Sequence, residues 1–523
     1  MKKLSTIIML AFAFNGFVVA QNYDFSHLET VNPYIKGNLA AGLYYYNGLN
    51  DSLTHFSNAL ISSNIQNGKF RNPYTSDALC WKVNFETKSI IQFKDLTLLA
   101  HFGYQYEQQK NVRFNTIYET NSSPFFYSDS LFGNTKHENF TAGLKAAYHF
   151  KKIADVGISV DYLSASRAKT RDLRNEVDCM KFSIAGDVLF RVNKKWKSGL
   201  NMAWKRHFEN LEVQQIAAGV NNNAFIFSGL WFYNPILFSP TSNYGRRSQS
   251  NVVSANLYNE FQIGNGFLFV NLGVSKDTNH QYFKNYEEFG DYTRKHYFGE
   301  IRFVNASLLI NASYQLDKML GYSVLQRSEV DTLSGSPQYS TKAKYETYFS
   351  EIQQVGAGVY YRKTDKHNLL DEKYKIGLIY HFSRNYQSNL LYPVDFFQRF
   401  YCHYSGIHGS YSFVKNNDFL QFDAQTAYSF GYGRMLDHQF LNGNNDFDPQ
   451  NYTCMTSLLE QEYRYNTDPK IIADIFVKYK RKLLKNRNLN LVVSASYNGN
   501  YSLSYYFQKA SRNSYNVAIG LEF

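Results

Sequence analysis

The feature that most constrains this chain is a two-residue period in hydrophobicity that recurs from end to end. Residues 96–107 set Leu96, Leu98, Ala100, Phe102, Tyr104 and Tyr106 against His101, Gly103, Gln105 and Glu107. The same grammar returns at 139–150, 180–192 and 419–432, where Leu420, Phe422, Ala424, Tyr428, Phe430 and Tyr432 oppose Gln421, Asp423, Gln425 and Ser429. Side chains switch faces at every residue of a strand but not of a helix, so each segment reads as a strand with one apolar and one polar face. Helical spacing of apolar residues is rarely as good beyond the N-terminus. Aromatics make up 17% of the chain, far too many for a disordered polymer. Past residue 20 no uncharged apolar run nears the roughly 18 residues that a spanning helix needs. The chain is built of strands.

The first 20 residues read as a secretory signal. Lys2 and Lys3 form a basic start, Ile7 to Ala20 is mostly apolar, and Val18-Val19-Ala20 offers a small-residue cleavage site before Gln21. Gln21 is not cysteine, so no lipid attachment is expected there. The expected organisation is a signal at 1–20, a periplasmic N-terminal segment at 21–51 and one β-domain at 52–523. Cys80, Cys179, Cys402 and Cys454 are far apart, with no CxxC or Cys/His pair at metal spacing. Neither a disulfide framework nor a zinc site follows.

Connections between the alternating segments are short and long by turns. Short ones fall near 93–95, 151–153, 193–195, 264–266, 315–318, 363–367, 415–418 and 483–488. Long ones fall near 64–77, 108–138, 165–176, 209–249, 279–297, 331–345, 383–397, 433–470 and 500–512. Tight turns at one rim and long loops at the other are the layout of a membrane β-barrel with periplasmic turns. The count gives about 18 strands, the first near 52–63 and the last at 513–523; the alternative is 16, if the first hairpin does not span. Segment 450–465 alternates weakly and is placed inside a long loop. In hydrocarbon an open sheet edge leaves amides without partners, so the expected fold is a closed antiparallel transmembrane barrel. The soluble alternative is a string of β-sandwiches. Against it, aromatics gather at strand ends as interfacial girdles do: Trp81, Tyr104, Tyr106, Trp204, Tyr428 and Tyr432 at one rim, Phe150, Trp196 and Phe523 at the other.

The last strand alternates Tyr515, Val517, Ile519, Leu521 and a C-terminal Phe523. It resembles the terminal assembly signal of outer-membrane barrels. Over its length the chain is similar to the large Tyr/Phe-rich, single-domain outer-membrane barrels of Bacteroidota, a family of unknown function. The matching stretches are Asn38-Leu39-Ala40-Ala41-Gly42-Leu43, and Val160-Asp161-Tyr162 through Arg174-Asn175. The resemblance implies an outer-membrane location, contact with outer-membrane lipid and delivery by the barrel-assembly machinery. It carries no catalytic residues.

The formal net charge of +12 is expected at the periplasmic turns, in Lys94, Lys151, Lys152, Lys194, Lys195, Lys318, Lys363 and Lys415 among others. The expected lumen face mixes Lys82, Lys88, Lys145, Arg191, Lys197, Lys478 and Lys480 with Glu86, Asp155, Asp161, Asp187, Glu260 and Glu522. A nucleic-acid partner and a strongly anion-selective funnel are therefore disfavoured, and the turn cations read as anchors. Loop 209–249 is the most distinctive segment. Its run of Phe225, Phe227, Trp231, Phe232 and Tyr233 must be buried against something. It is expected to fold into the barrel mouth as a constriction, with a docking surface or simple loop packing as alternatives. Arg246 and Arg247 follow it and offer an anion grip, although such pairs are more often solvated. Asn442–Asp448 lacks the bidentate Glu of a calcium loop and reads as a turn.

No GxSxG, HExxH or P-loop occurs, so no enzyme activity, cofactor or metal is expected. Alternation starts by residue 52, which leaves no room for a plug domain before the barrel. The functional expectation is a channel or small-solute transporter. The rival is a non-conducting scaffold or accessory subunit beside another outer-membrane protein.

Overall fold

The computed structural model describes residues 40–41, 55–73, 79–114, 117–118, 123–150, 153–216, 222–238, 243–284, 287–330, 337–365, 368–391, 394–415, 417–440, 454–484 and 489–523. The signal at 1–20 lies outside these residues, as does the Asn442–Asp448 turn.

In chain order the strands are β1 (His55–Gly68), β2 (Leu79–Phe93), β3 (Leu96–Val112), β4 (Phe125–Asp129), β5 (Gly133–Phe150), β6 (Ala154–Lys169) and β7 (Arg174–Asn193). They continue with β8 (Trp196–Gln214), β9 (Asn222–Ser228), β10 (Tyr233–Phe238), β11 (Asn243–Ile263), β12 (Gly266–Phe283), β13 (Glu288–Val304) and β14 (Leu308–Val330). The rest are β15 (Pro337–Asp365), β16 (Asn368–Leu391), β17 (Val394–Lys415), β18 (Asp418–Phe440), β19 (Lys470–Lys482), β20 (Asn490–Ser502) and β21 (Ser511–Glu522). The single helix among the described residues, α1, spans Thr456–Thr467.

All but β4, β9 and β10 join one 18-stranded antiparallel sheet, and each wall strand pairs with its neighbours in sequence. The sheet closes because β21 lies antiparallel to β1, from Asn58 opposite Glu522 to Gly68 opposite Arg512. At the seam the Phe523 N–H donates to the Ser57 carbonyl at 2.8 Å, and the Ser57 N–H donates back at 2.6 Å. No edge is left in the wall, as lipid requires.

The period-two pattern decides which way each strand faces. Ile158, Met202, Val253, Leu378 and Val517 all point outward and stay at least half exposed. No aqueous fold leaves such a band bare over a whole wall; lipid covers it. Trp81, Trp204, Tyr428 and Tyr432 edge this band above, and Phe150 and Trp196 edge it below. The opposite faces place Asp155, Asp187, Glu260, Lys478, Lys480 and Glu522 inside, all buried. These inward charges meet as pairs: Arg191 with Asp155 at 2.5 Å, Lys197 with Glu260 at 3.0 Å, Lys480 with Glu522 at 2.6 Å.

Several expected connections move. The turn expected at 315–318 is at 305–307, where the Asn305 side chain accepts the N–H groups of Ser307 (2.8 Å) and Leu308 (2.7 Å). An Asx-type bond of this sort supplies the reversal that Gln315-Leu316-Asp317-Lys318 does not. Asp317 and Lys318 therefore sit inside β14, and Lys318 leaves the set of periplasmic-turn cations. The loops expected at 165–176, 279–297 and 383–397 contract, because β6, β7, β12, β13, β16 and β17 all run on through them. The β14 to β18 strands have 22 to 29 residues, where about 9–11 would span the hydrocarbon. Their upper halves stand clear of lipid, so their outward faces need not be apolar. The described part of segment 450–465, from Cys454 on, does lie in a loop, but much of it is α1: Leu458 and Leu459 are buried, and Asp468-Pro469 stops the helix.

Candidate functional site in the barrel lumen

A cap folded from three loops sits in the upper lumen. The β9–β10 hairpin carries the aromatic run, and β4 pairs along the outer edge of β9, giving a sheet in the order β10-β9-β4. Pro235 is tolerated because β10 is an edge strand. The hairpin tip needs unusual backbone: Gly229, Leu230 and Trp231 have φ of 103°, 46° and 60°. Only glycine fits the first of these positions, since a Cβ there would come within 2.3 Å of the Tyr348 ring.

The third loop locks onto this tip. Cys454 bridges to Phe232, the Met455 N–H donates to the Trp231 carbonyl at 3.1 Å, and α1 starts at the next residue. The Trp231 indole N–H then reaches the Glu462 carboxylate at 2.7 Å. Burial pushes the Glu462 carboxyl above its ordinary value, and the Trp231 hydrogen bond offsets this in part. Burial also pushes the Cys454 thiol up to about 12, so it is an inert packing group.

The cap has its own apolar core. Phe227 is fully buried and stacks on Phe126 at 4.5 Å, with Trp231 edge-on to Phe227 at 5.4 Å. Phe225 and Phe232 are buried in the same cluster, and Phe232 packs on Phe396 of β17 at 4.8 Å. Tyr233 is half-buried, edge-on to Phe225 at 5.0 Å. Burying Phe225, Phe227, Trp231 and Phe232 is worth on the order of 6–12 kcal/mol before the entropy of ordering the loops.

Polar contacts tie the cap to wall strands on nearly opposite sides. Arg167 of β6 donates to the Ile117 carbonyl at 2.9 Å, while Lys169 and Asn175 hold Asp129 at 2.6 and 3.0 Å. Across the mouth, Asn389 of β16 donates to the Ser228 carbonyl at 2.8 Å and the Gly229 carbonyl at 3.1 Å. Helix α1 closes the remaining arc through Tyr463 to the Gly433 carbonyl (2.9 Å) and Gln461 to the Arg71 carbonyl (3.2 Å). A unit bonded to β6 on one side and β16 on the other sits inside the mouth.

Arg246 corrects the expectation of a solvated arginine pair. It is buried on the lumen face of β11, bonded to Glu209 at 2.5 Å and to the Phe125 carbonyl at 3.4 Å. Glu209 also accepts the Tyr118 N–H at 3.0 Å. Arg246 is thus a strut between wall and cap, and Arg247 occupies the other face of the strand.

Beside the cap, a cavity of about 790 Å³ lies along β1, β2, β3, β5, β6 and β21. Lys82, Lys88, Lys145 and His101 line it with Glu86 and Asp161, and Tyr118 reaches it from the loop. Lys88 meets Glu86 at 2.8 Å, and His101 lies 3.8 Å from Asp161. The charge is mixed, as the alternation implied. Lower down, the Asp187 carboxylate accepts the Ala40 N–H at 3.0 Å and the Ala41 N–H at 2.6 Å. Both alanines are fully buried, and Ala41 packs with Leu189, Tyr258, Phe269 and Val304. So the two described residues of the N-terminal segment lie inside the barrel; no periodicity signalled this.

Among the described residues one group converges as metal ligands would: His280, Glu288 and Asp291 at the upper ends of β12 and β13. Each acid already has a partner, Glu288 in His280 at 2.6 Å and Asp291 in Lys344. Of the terminal-strand residues, Tyr515, Val517 and Ile519 face lipid on the closing strand and Phe523 makes the seam bonds.

Fold and lumen together define a large transmembrane β-barrel with a folded cap in its mouth. Residues 40–523 match the model of the family of unknown function DUF6850, and the chain belongs to that family. No curated protein matches it. Among solved structures it is similar to BauA, the ferric preacinetobactin receptor from Acinetobacter baumannii, with 8% identity and a TM-score of 0.39 over 90% of this chain and 80% of that one. The open form of the ferric-catecholate import receptor Fiu from E. coli K12 gives 9% identity and 0.38, over 89% and 81%. The unliganded ferric citrate transporter FecA gives 7% and 0.38, over 89% and 78%.

Proposed function

We propose that this chain is an outer-membrane transporter of small polar solutes, exported by its first 20 residues and held shut by its own cap. The carrying observation is the cap: a hydrophobic core complete in itself, yet bonded to opposite walls of a polar lumen. A barrel built only as a scaffold gains nothing from keeping a charged cavity of about 790 Å³ below such a closure. Lys82, Lys88, Lys145, Glu86 and Asp161 suit a solute with both donors and acceptors, because both signs of charge line one cavity. The hairpin that carries Trp231, Phe232 and Tyr233 forms the constriction, and opening requires its tip to leave Asn389 and Tyr348.

Swelling of proteoliposomes in saccharides of graded size tests this reading. The intact protein should admit little. A variant with 222–238 replaced by a short Gly/Ser bridge should admit mono- and disaccharides. Equal exclusion by a correctly assembled variant would instead favour a non-conducting scaffold.

A further inference from the structure

The upper edge of the lipid-facing band carries a row of lysines that the transport reading does not use. On the outward face, Lys276 of β12 is directly opposite Lys295 of β13, which is directly opposite Lys318 of β14. All three are exposed. Below each runs an outward stripe that starts at Leu268, Phe303 or Ile310, eight residues away along its strand. At about 3.3 Å per residue and a tilt near 40°, eight residues climb roughly 20 Å, so the ammonium groups emerge where hydrocarbon gives way to headgroups.

Such a row is unfavourable by itself. Directly opposed residues have Cβ atoms about 4.5–5.5 Å apart, and like charges there repel. Glu351 reaches Lys318 at 2.8 Å but also lies 3.8 Å from Arg384. Among the described residues no carboxylate pairs with Lys276 or Lys295. An anion from outside the protein would relieve this repulsion, at the depth of a lipid headgroup and against an apolar stripe that fits acyl chains.

We propose that Lys276, Lys295 and Lys318 form a binding site for a phosphate-bearing lipid of the outer leaflet, of the phosphorylated-glycolipid class. The leaflet rests on the outer-membrane placement proposed above; the site does not depend on transport. Lys295 sits centrally between its two neighbours and takes the phosphate, while the acyl chains lie along Val274, Tyr297 and Tyr314.

Native mass spectrometry of the detergent-purified full chain, titrated with a phosphorylated lipid A and with the same lipid dephosphorylated, tests the site. The intact chain should retain the phosphorylated lipid and not the dephosphorylated one. K276Q/K295Q/K318Q should weaken retention on the order of 100-fold, at roughly fivefold per lysine. K194Q/K195Q, at the opposite rim, should leave it unchanged, and heat-shifted gel migration reports whether each variant is assembled. Inorganic phosphate at equal concentration should not compete. Retention unchanged in the assembled triple variant, or equal retention of the dephosphorylated lipid, would overturn the proposal. Neither outcome touches the swelling assay for transport.

Discussion

Replacing Trp231 by alanine should melt the cap and leave the barrel standing. Trp231 is 2% exposed and is edge-on to Phe227, Phe126 and Phe114, with ring centroids 5.4, 6.0 and 6.1 Å away. Truncating a tryptophan in such a core costs about 3–5 kcal/mol. The substitution also strips Glu462 of its indole donor at 2.7 Å, leaving a buried carboxyl with one partner fewer, for about 1–3 kcal/mol more. The two losses overlap, so about 4 kcal/mol is a fair total. At 1.4 kcal/mol per tenfold, opening of the cap becomes on the order of 10³-fold more frequent. Hydrogen exchange read by mass spectrometry should show this as faster exchange in peptides covering 222–238 and 456–467. Peptides from β5, β12 and β20 should keep their protection, because their bonds belong to the closed wall. Unchanged exchange in both cap peptides would refute the idea that Trp231 joins hairpin to helix. Equal loss in wall peptides would refute the separation of cap from barrel.

Other expectations concern the same contacts. Burial raises the Glu462 pKa above its ordinary 4.5, so the folded cap binds that proton more tightly than the unfolded one. Cap stability should be fullest below pH 4.5 and decline as pH rises toward the raised value; in E462Q, exchange of 456–467 should lose this dependence. G229A forces a Cβ into the Tyr348 ring at a φ of 103°, and should speed exchange at the hairpin tip by tenfold or more without altering heat-shifted migration. N389A removes the donor to Ser228 and Gly229, and should weaken the cap by about 1–3 kcal/mol in the same assay. D187A leaves the Ala40 and Ala41 N–H groups without their acceptor, and should make the N-terminal segment more sensitive to added protease than D187N, which keeps one acceptor oxygen.

The lipid-facing part of the wall was legible in the sequence because hydrocarbon enforces alternation residue by residue. The closing strand at Tyr515–Phe523 follows from that pressure, and the strand number from it together with the alternation of short turns and long loops. Above the membrane the pressure lapses. In β15, residues Tyr339 to Glu346 include Ser340, Thr341, Lys342, Lys344 and Glu346 yet are still hydrogen-bonded in the sheet, so long strands read as long loops. The turn at Asn305 was missed because its signal is one side-chain bond, without glycine or proline. The run from Phe225 to Tyr233 announced its own burial through apolarity. Its partners stayed hidden, since β4, Cys454 and Glu462 lie about 100 to 230 residues away and no local period encodes such pairing. Helix α1 left a readable trace: Leu458, Leu459, Glu462 and Asn466 fall on one helical face ahead of Asp468-Pro469. The buried role of Arg246 left none, because a buried and a solvated arginine look alike in sequence.

Single-channel recording in planar bilayers tests most directly whether the cap is the closure of this barrel. The intact chain should insert with low, rarely fluctuating conductance. The variant lacking 222–238 should show a stable conductance several-fold higher, with only weak preference between anions and cations, as the mixed lysines and carboxylates of the cavity require. An intact chain that already conducts like its shortened variant would contradict the closure, and with it the reading of the barrel as a gated path.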